Sequence, residues 1–121
     1  GGARRQSPCL IVSRENDEPR LGVMQALQIN ATGVLIASLM WYDEPTEACS
    51  LHRPSMQDRR EPKVPVFLLK GEKALSIVLP SSAGIRLDNG ITLEGGSVQH
   101  LVPVEVLERG IDFVRYACRR A

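Results

Sequence analysis

"RLGVMQALQINATGVLIASLMWY", residues 20–42, is the stretch on which the fold turns. At its centre, NATG (30–33) is a turn signal, because Asn30 and Gly33 tolerate the positive φ that tight turns demand. After it, "VLIASLMWY" (34–42) is apolar and reads as a strand buried on both faces. Before it, residues 20–29 support two readings. Met24, Ala26 and Leu27 suit a helix, whereas Leu21, Val23 and Gln25 fall in a run that suits a strand. With a strand on each side, NATG closes a β-hairpin.

The segments around this hairpin also point to β-structure. "PCLIV" (8–12) reads as a strand, and "SRENDEP" (13–19) as a polar turn closed by proline. Residues 43–65 are polar and interrupted by Pro45, Pro54, Pro62 and Pro65, which predicts a long loop with one short helical turn. "VFLLKGEKALSIVL" (66–79) returns to strand character, bends at Gly71 and ends at Pro80. In "GIRLDNGITLEGG" (84–96), Ile85 and Leu87 alternate with polar residues, as do Ile91 and Leu93. The intervening Asp88-Asn89-Gly90 predicts a hairpin with a type I′ turn. "VPVEVLERG" (102–110) suggests a helical turn stopped by Gly110, and "IDFVRYACRR" (111–120) a last strand. The expected fold is mainly β: six or seven short strands in a small β-barrel, with long loops and at most one or two short helices. "SLMWYDEP" (38–45) is then the end of a central barrel strand running into the longest loop.

Composition bounds the function. A chain of 121 residues, 43% hydrophobic, suits a single domain over 1–121 with a real core, the first seven residues forming a flexible lead-in. A net charge of +1 gives no large basic footprint for nucleic acid, leaving room only for weak contacts to DNA phosphate. Arginine far outnumbers lysine, and its planar fork suits phosphate and acidic protein surfaces. Cys9, Cys49 and Cys118 are odd in number, far apart and form no CxxC, which fits a reducing compartment without a disulfide framework or zinc finger. No apolar run approaches a membrane span. Gly1-Gly2 reads as a tag remnant on a domain cut from a longer protein.

Catalytic signals are sparse. There is no GxSxG, GxGxxG or GxxxxGK. Cys49 and His52 are close in sequence, but nothing around them completes a nucleophilic site, and two further ligands are missing for a metal. His100 stands alone, and the pairs Asp17-Glu18 and Asp43-Glu44 read as solvated acids. The expectation is a protein without enzymatic activity, metal or cofactor. Binding has better candidates. Trp41 and Tyr42 alternate across a strand, so one ring faces in and the other out. A ring face with Asp43 or Glu44 beside it suits an ammonium or methylammonium group. Arg53, Arg59 and Arg60, in a loop that also carries His52 and Lys63, with Arg119 and Arg120 at the end, form a second candidate surface for phosphate or an acidic partner.

Three stretches resemble the bromo-adjacent homology (BAH) domain, in the branch of the largest origin recognition complex subunit and its silencing relative. "EPRLGVMQALQINATGVLIASLMWYDEPTEA" (18–48) resembles two core strands leading to a Trp-aromatic pair, "PVFLLKGEKALSIVLP" (65–80) the unit that follows, and "GIDFVRYACRR" (110–120) the closing strand. The resemblance implies a non-catalytic nuclear β-barrel module, acting in gene silencing or DNA replication, that binds a histone tail, a nucleosome or a chromatin protein. Trp41 matches a typical position of the methyl-lysine cage, with Tyr42, Asp43 and Glu44 as neighbours. Arg53, Arg59, Arg60, Arg119 and Arg120 would meet the nucleosome or an acidic partner. The chain also resembles the bacterial PilZ domain, a cytoplasmic β-barrel that binds cyclic di-GMP. "QINATG" (28–33) has the spacing of its Asp-x-Ser-x-x-Gly motif with Gln28 and Asn30 substituted, Arg4-Arg5 lie about where its arginines would be, and "GIDF" (110–113) resembles its last strand.

Overall fold

A computed structural model describes residues 9–15, 18–52 and 63–121. The described residues form nine strands: β1 Cys9–Glu15, β2 Glu18–Ile29, β3 Leu35–Trp41, β4 Thr46–His52, β5 Val64–Lys70, β6 Leu75–Pro80, β7 Ile91–Glu94, β8 Val98–Arg109 and β9 Phe113–Arg120. One turn of 3₁₀ helix, Ser81–Ala83, is the sole helical piece among them. Six strands close an antiparallel barrel in the order β4-β5-β6-β9-β8-β7, and a separate sheet runs β1-β2-β3.

The barrel interior follows from period-two alternation. Leu51 of β4, Val66 and Leu68 of β5, Ile77 and Leu79 of β6, Leu93 of β7, Leu101 of β8, and Val114 and Tyr116 of β9 form one buried cluster. Side chains on the other face of β5, β6 and β9 point outward, and there the second sheet lands. Leu21 and Val23 of β2 bury themselves completely against Leu69, Val78 and Phe113. Leu10 and Tyr42 fill the flanks. Each such buried aliphatic or aromatic side chain contributes roughly 1.5–3 kcal/mol, so this second cluster holds the sheet firmly to the barrel. The Leu10 N–H also donates to Asp112 Oδ1 at 3.2 Å.

The hairpin around NATG forms. Asn30 Oδ1 accepts from the Thr32 N–H (3.0 Å), the Thr32 hydroxyl (2.7 Å) and the Val34 N–H (2.9 Å), and Gly33 takes φ +81°. Residues 20–29 are strand, but β2 carries a bulge between Met24 and Ala26.

Several expectations change. The stretch 34–42 is not a strand buried on both faces, nor part of the barrel. β3 is an edge strand of the small sheet, and its residues from Leu35 to Met40 are exposed. The 43–65 segment is not all loop, since β4 occupies Thr46–His52 and β5 begins at Val64. The local reason is the apolar pair Cys49 and Leu51, two residues apart, turned to the barrel core between more polar neighbours. The hairpin expected over 84–96 is absent. Positive φ falls on Asp88 (66°) rather than on Gly90, and the Asp88 N–H donates to Pro103 O at 2.7 Å, tying the loop to β8. β7 pairs instead with β8 and β4. The helical turn expected over 102–110 is part of β8, where Val102, Val104 and Val106 favour extended backbone and Pro103 withholds a helical donor. β8 meets β9 with two irregularities, at Pro103/Glu105 and Val106/Glu108.

Candidate functional site

The residues singled out at 41–44 sit where the small sheet meets the barrel, and strand alternation sends them to different sides. In the β2–β3 register Gly22 lies opposite Trp41. The indole lies across this glycine so closely that a Cβ there would be 2.6 Å from Trp41 Cε3. The Arg20 guanidinium covers the ring, with Cζ 4.7 Å from its centroid. This face looks away from the barrel, because the adjacent residues Leu21 and Val23 are the ones that pack on it.

Tyr42 takes the opposite side and joins the cluster between sheet and barrel. Its ring is covered by Arg115 of β9, with Cζ 4.6 Å from the centroid. Its hydroxyl donates to Glu108 Oε2 at 2.7 Å. Arg115 in turn donates from Nη2 to Glu44 Oε1 (3.1 Å) and from Nε to Ser76 Oγ (3.1 Å). Burial, and then the hydrogen bond to the Glu108 carboxylate, push the Tyr42 phenol above its ordinary pKa of 10.0. The folded state therefore favours the neutral phenol. That contribution is fully present below pH 10 and is lost as pH rises through the folded pKa. Tyr42→Phe is expected to lower stability by about 0.5–1.5 kcal/mol near neutral pH. The gap between the two chains should close in urea melts taken above pH 10; a gap that stays constant to pH 11 would refute the assignment.

One ring of the expected pair thus faces in and the other out, with Tyr42 inside and Trp41 outside. Both rings have an internal guanidinium against them, and Glu44 is paired with one of these cations. Asp43 is exposed. A polar cleft of about 240 Å³ lies beside these residues, lined by Glu18, Arg20, Tyr42, Asp43 and Glu44. The two arginines that define this region, Arg20 and Arg115, were not among the sequence candidates, and neither were Gly22 and Glu108.

Of the candidate arginines, Arg53, Arg59 and Arg60 lie outside the described residues. Arg119 and Arg120 are exposed at the far end of β9 from Phe113, where Arg120 Nη1 donates to Gln99 Oε1 at 3.3 Å. Arg115 and Arg120 are five strand positions apart, about 16 Å, so Arg119 and Arg120 do not join the Trp41 region.

Cys49 and His52 do not meet. An odd spacing along β4 sends them to opposite faces. Cys49 packs against the barrel core and its thiol is pushed up by burial, then by the Glu47 carboxylate. His52 Nδ1 lies 3.0 Å from Glu94 Oε1 on the outside. Burial raises the Cys118 thiol to about 12, which leaves it protonated and unreactive at neutral pH. His100 is exposed on β8, with Nδ1 3.1 Å from Thr92 Oγ1. Among the described residues no group of three His, Cys, Asp or Glu side chains is placed to hold a metal.

Between β5 and β4, Lys70 Nζ and Glu47 Oε2 lie 2.8 Å apart, an ion pair that holds the Glu47 carboxyl below its usual range. A groove of about 410 Å³ is bordered by Leu51, His52, Ala83, Ile85, Arg86 and Ile91. His52 leads directly into residues that lie outside the described set.

The β2–β3 hairpin departs from an ordinary surface. Ile29, Val34, Leu35, Ile36, Leu39 and Met40 are 45–72% exposed. The register puts Leu35 and Leu39 on the face of Trp41, and Ile36 and Met40 on the other. Only the end carrying Leu21, Val23 and Tyr42 rests on the barrel; the rest projects with apolar side chains on both faces. Residues 30–42 carry no charge. No family matches the chain, and no curated protein or solved structure is found to be similar to it.

Proposed function

We propose that the chain is a non-catalytic β-barrel interaction module that docks a protein partner on its β2–β3 hairpin. The observation that carries this is the uncharged edge strand β3, apolar on both faces and exposed from Leu35 to Met40. Contiguous apolar surface of this kind marks binding sites in soluble proteins, and an open strand edge offers its main-chain donors and acceptors to an added strand. The BAH resemblance gives the partner class: a nucleosome, a histone tail or another chromatin protein. The geometry supports the docking form of that reading over the methyl-lysine cage, because Arg20 and Arg115 already stand over the two rings a cage would use.

The second reading is a PilZ-like module. It draws on the QINATG stretch, which folds as a compact turn with Gly33 at positive φ, next to a closed six-stranded barrel. The Asn30 side chain is occupied within that turn, which favours a protein partner over cyclic di-GMP for this version too.

Calorimetric titration with mononucleosomes, methylated and unmethylated tail peptides, and cyclic di-GMP separates the readings. The expected result is chromatin binding that ignores methylation, is lost in Leu35→Lys, and changes little with salt because no phosphates are neutralised. Saturable cyclic di-GMP binding without chromatin binding would favour the second reading. Steep salt dependence would move the contact to Arg119 and Arg120.

A further inference from the structure

We infer that the occupant of the β3 edge is β3 of a second copy, paired antiparallel about a two-fold axis at Ser38. The inference rests on the docking reading and gives it a specific partner. Ser38 is the middle residue of Leu35–Trp41. Pairing two such strands about it sets Leu35 against Trp41, Ile36 against Met40 and Ala37 against Leu39, each twice, with Ser38 against Ser38.

Every pair other than the central one is apolar, and a large side chain takes part in each. The strand is thus complementary to itself in the sense that an isologous interface requires. Charge also favours a like copy. Two identical charged edges repel, which is how edge strands usually avoid each other. Here residues 30–42 contain no charge, so neither repulsion nor a charged partner is selected.

Joining the edges makes one continuous six-stranded sheet, β1-β2-β3 followed by its symmetry mate. Among the described residues β3 has hydrogen-bonded neighbours on one side only, β2, so the pairing supplies partners for the other side. A stable dimer needs about 800 Å² from each partner. The main chain along the seven paired residues and the small side chains of Ala37 and Ser38 supply part of this. Leu35, Ile36, Leu39 and Met40, half-exposed on the two faces, supply more as they pack beside their mates. Trp41 takes a place across from Leu35, where an aromatic ring is an effective interface anchor.

The test uses the whole chain in sedimentation velocity between about 1 and 100 µM, a range set by the micromolar or tighter affinities of interfaces this size. Wild type is expected to shift from monomer to dimer. Ser38→Lys places two lysines against each other at the axis and is expected to weaken the dimer about tenfold or more, as is Ser38→Glu. An equimolar mixture of the two should restore association, since only a heterodimer then pairs opposite charges. Circular dichroism melts check that both variants fold. If either does not, hydrogen exchange on wild type at the two concentration extremes decides the matter, with protection of residues 35–41 expected to rise with concentration. A wild type that stays monomeric, or a dimer indifferent to both Ser38 substitutions, overturns the inference. A monomeric wild type whose chromatin binding is lost in Leu35→Lys would overturn the second-copy assignment while leaving the docking reading intact.

Discussion

Phe113→Ala is expected to destabilise the chain by about 3–5 kcal/mol, the largest effect of any single truncation on this fold. Phe113 opens β9, is fully buried, and points away from the barrel interior. It lies instead between barrel and sheet, among Leu21, Val23, Leu69 and Val78. Neither side can collapse into the space it would leave. The barrel wall is held by the β6–β9 and β5–β6 ladders, and the sheet by β1–β2–β3. A cavity therefore persists, and its cost adds to the lost transfer energy. Because the interior cluster is separate, the barrel itself should survive. Urea denaturation followed by the fluorescence of Trp41, which reports on the sheet, and by far-ultraviolet dichroism, which reports on all strands, checks this. The sheet probe should melt first in the variant. A loss below about 1 kcal/mol with transitions that stay coincident would show that Phe113 is not what holds the sheet to the barrel.

Gly22→Val is expected to cost about 1–3 kcal/mol, through overpacking rather than backbone strain. Gly22 is buried because the Trp41 ring lies over it, and a Cβ would come within 2.6–3.0 Å of three of its carbons. The indole must swing out. That uncovers the glycine strand and separates the ring from Arg20. Trp41 is the sole tryptophan, so the emission maximum should shift to the red as the ring enters water. An unchanged spectrum together with full stability would mean that the ring has another resting place.

The same position shows what the sequence could and could not reveal. The NATG turn was legible, since its turn chemistry is local. Counting back from it without interruption pairs Ile29 with Leu35 and Ala26 with Ser38, and would set Trp41 opposite Val23. The bulge between Met24 and Ala26 shifts the register by one and brings Gly22 there instead. It also carries Ile29 to the face opposite Leu21 and Val23. A strand whose apolar residues change face midway loses its period of two, which is why residues 20–29 also suited a helix. Nothing in the residue types marks the inserted position.

The barrel as a class was legible from many short apolar runs separated by turns, whereas the partners of each run were not. Asp88-Asn89-Gly90 has the residues of a tight hairpin, but Ile85 packs against the barrel core and Asp88 bonds to Pro103. Long-range contacts outweighed the local turn preference. For the site, alternation correctly separated Trp41 from Tyr42. The cations over them come from elsewhere, Arg115 being 73 residues after Tyr42 by the numbering. Only the closed order of strands, with β9 beside β6 and β8, brings Arg115 over that ring, Ser76 to its guanidinium and Glu108 to the Tyr42 hydroxyl.

The two irregularities in β8 have a consequence for the size of the barrel. Residues 101–109 of β8, nine in all, run beside residues 114–120 of β9, which are seven. The two extra residues add about 6–7 Å of path on one side of the pair. Strands that begin and end together while differing in contour length must bow, the longer one on the outside. Val104 and Leu107, which have no opposite number on β9, are both substantially exposed, as residues on an outer arc should be. The curvature of this wall is thus a property of residue count, and removing either residue would flatten it before it altered any contact in the core.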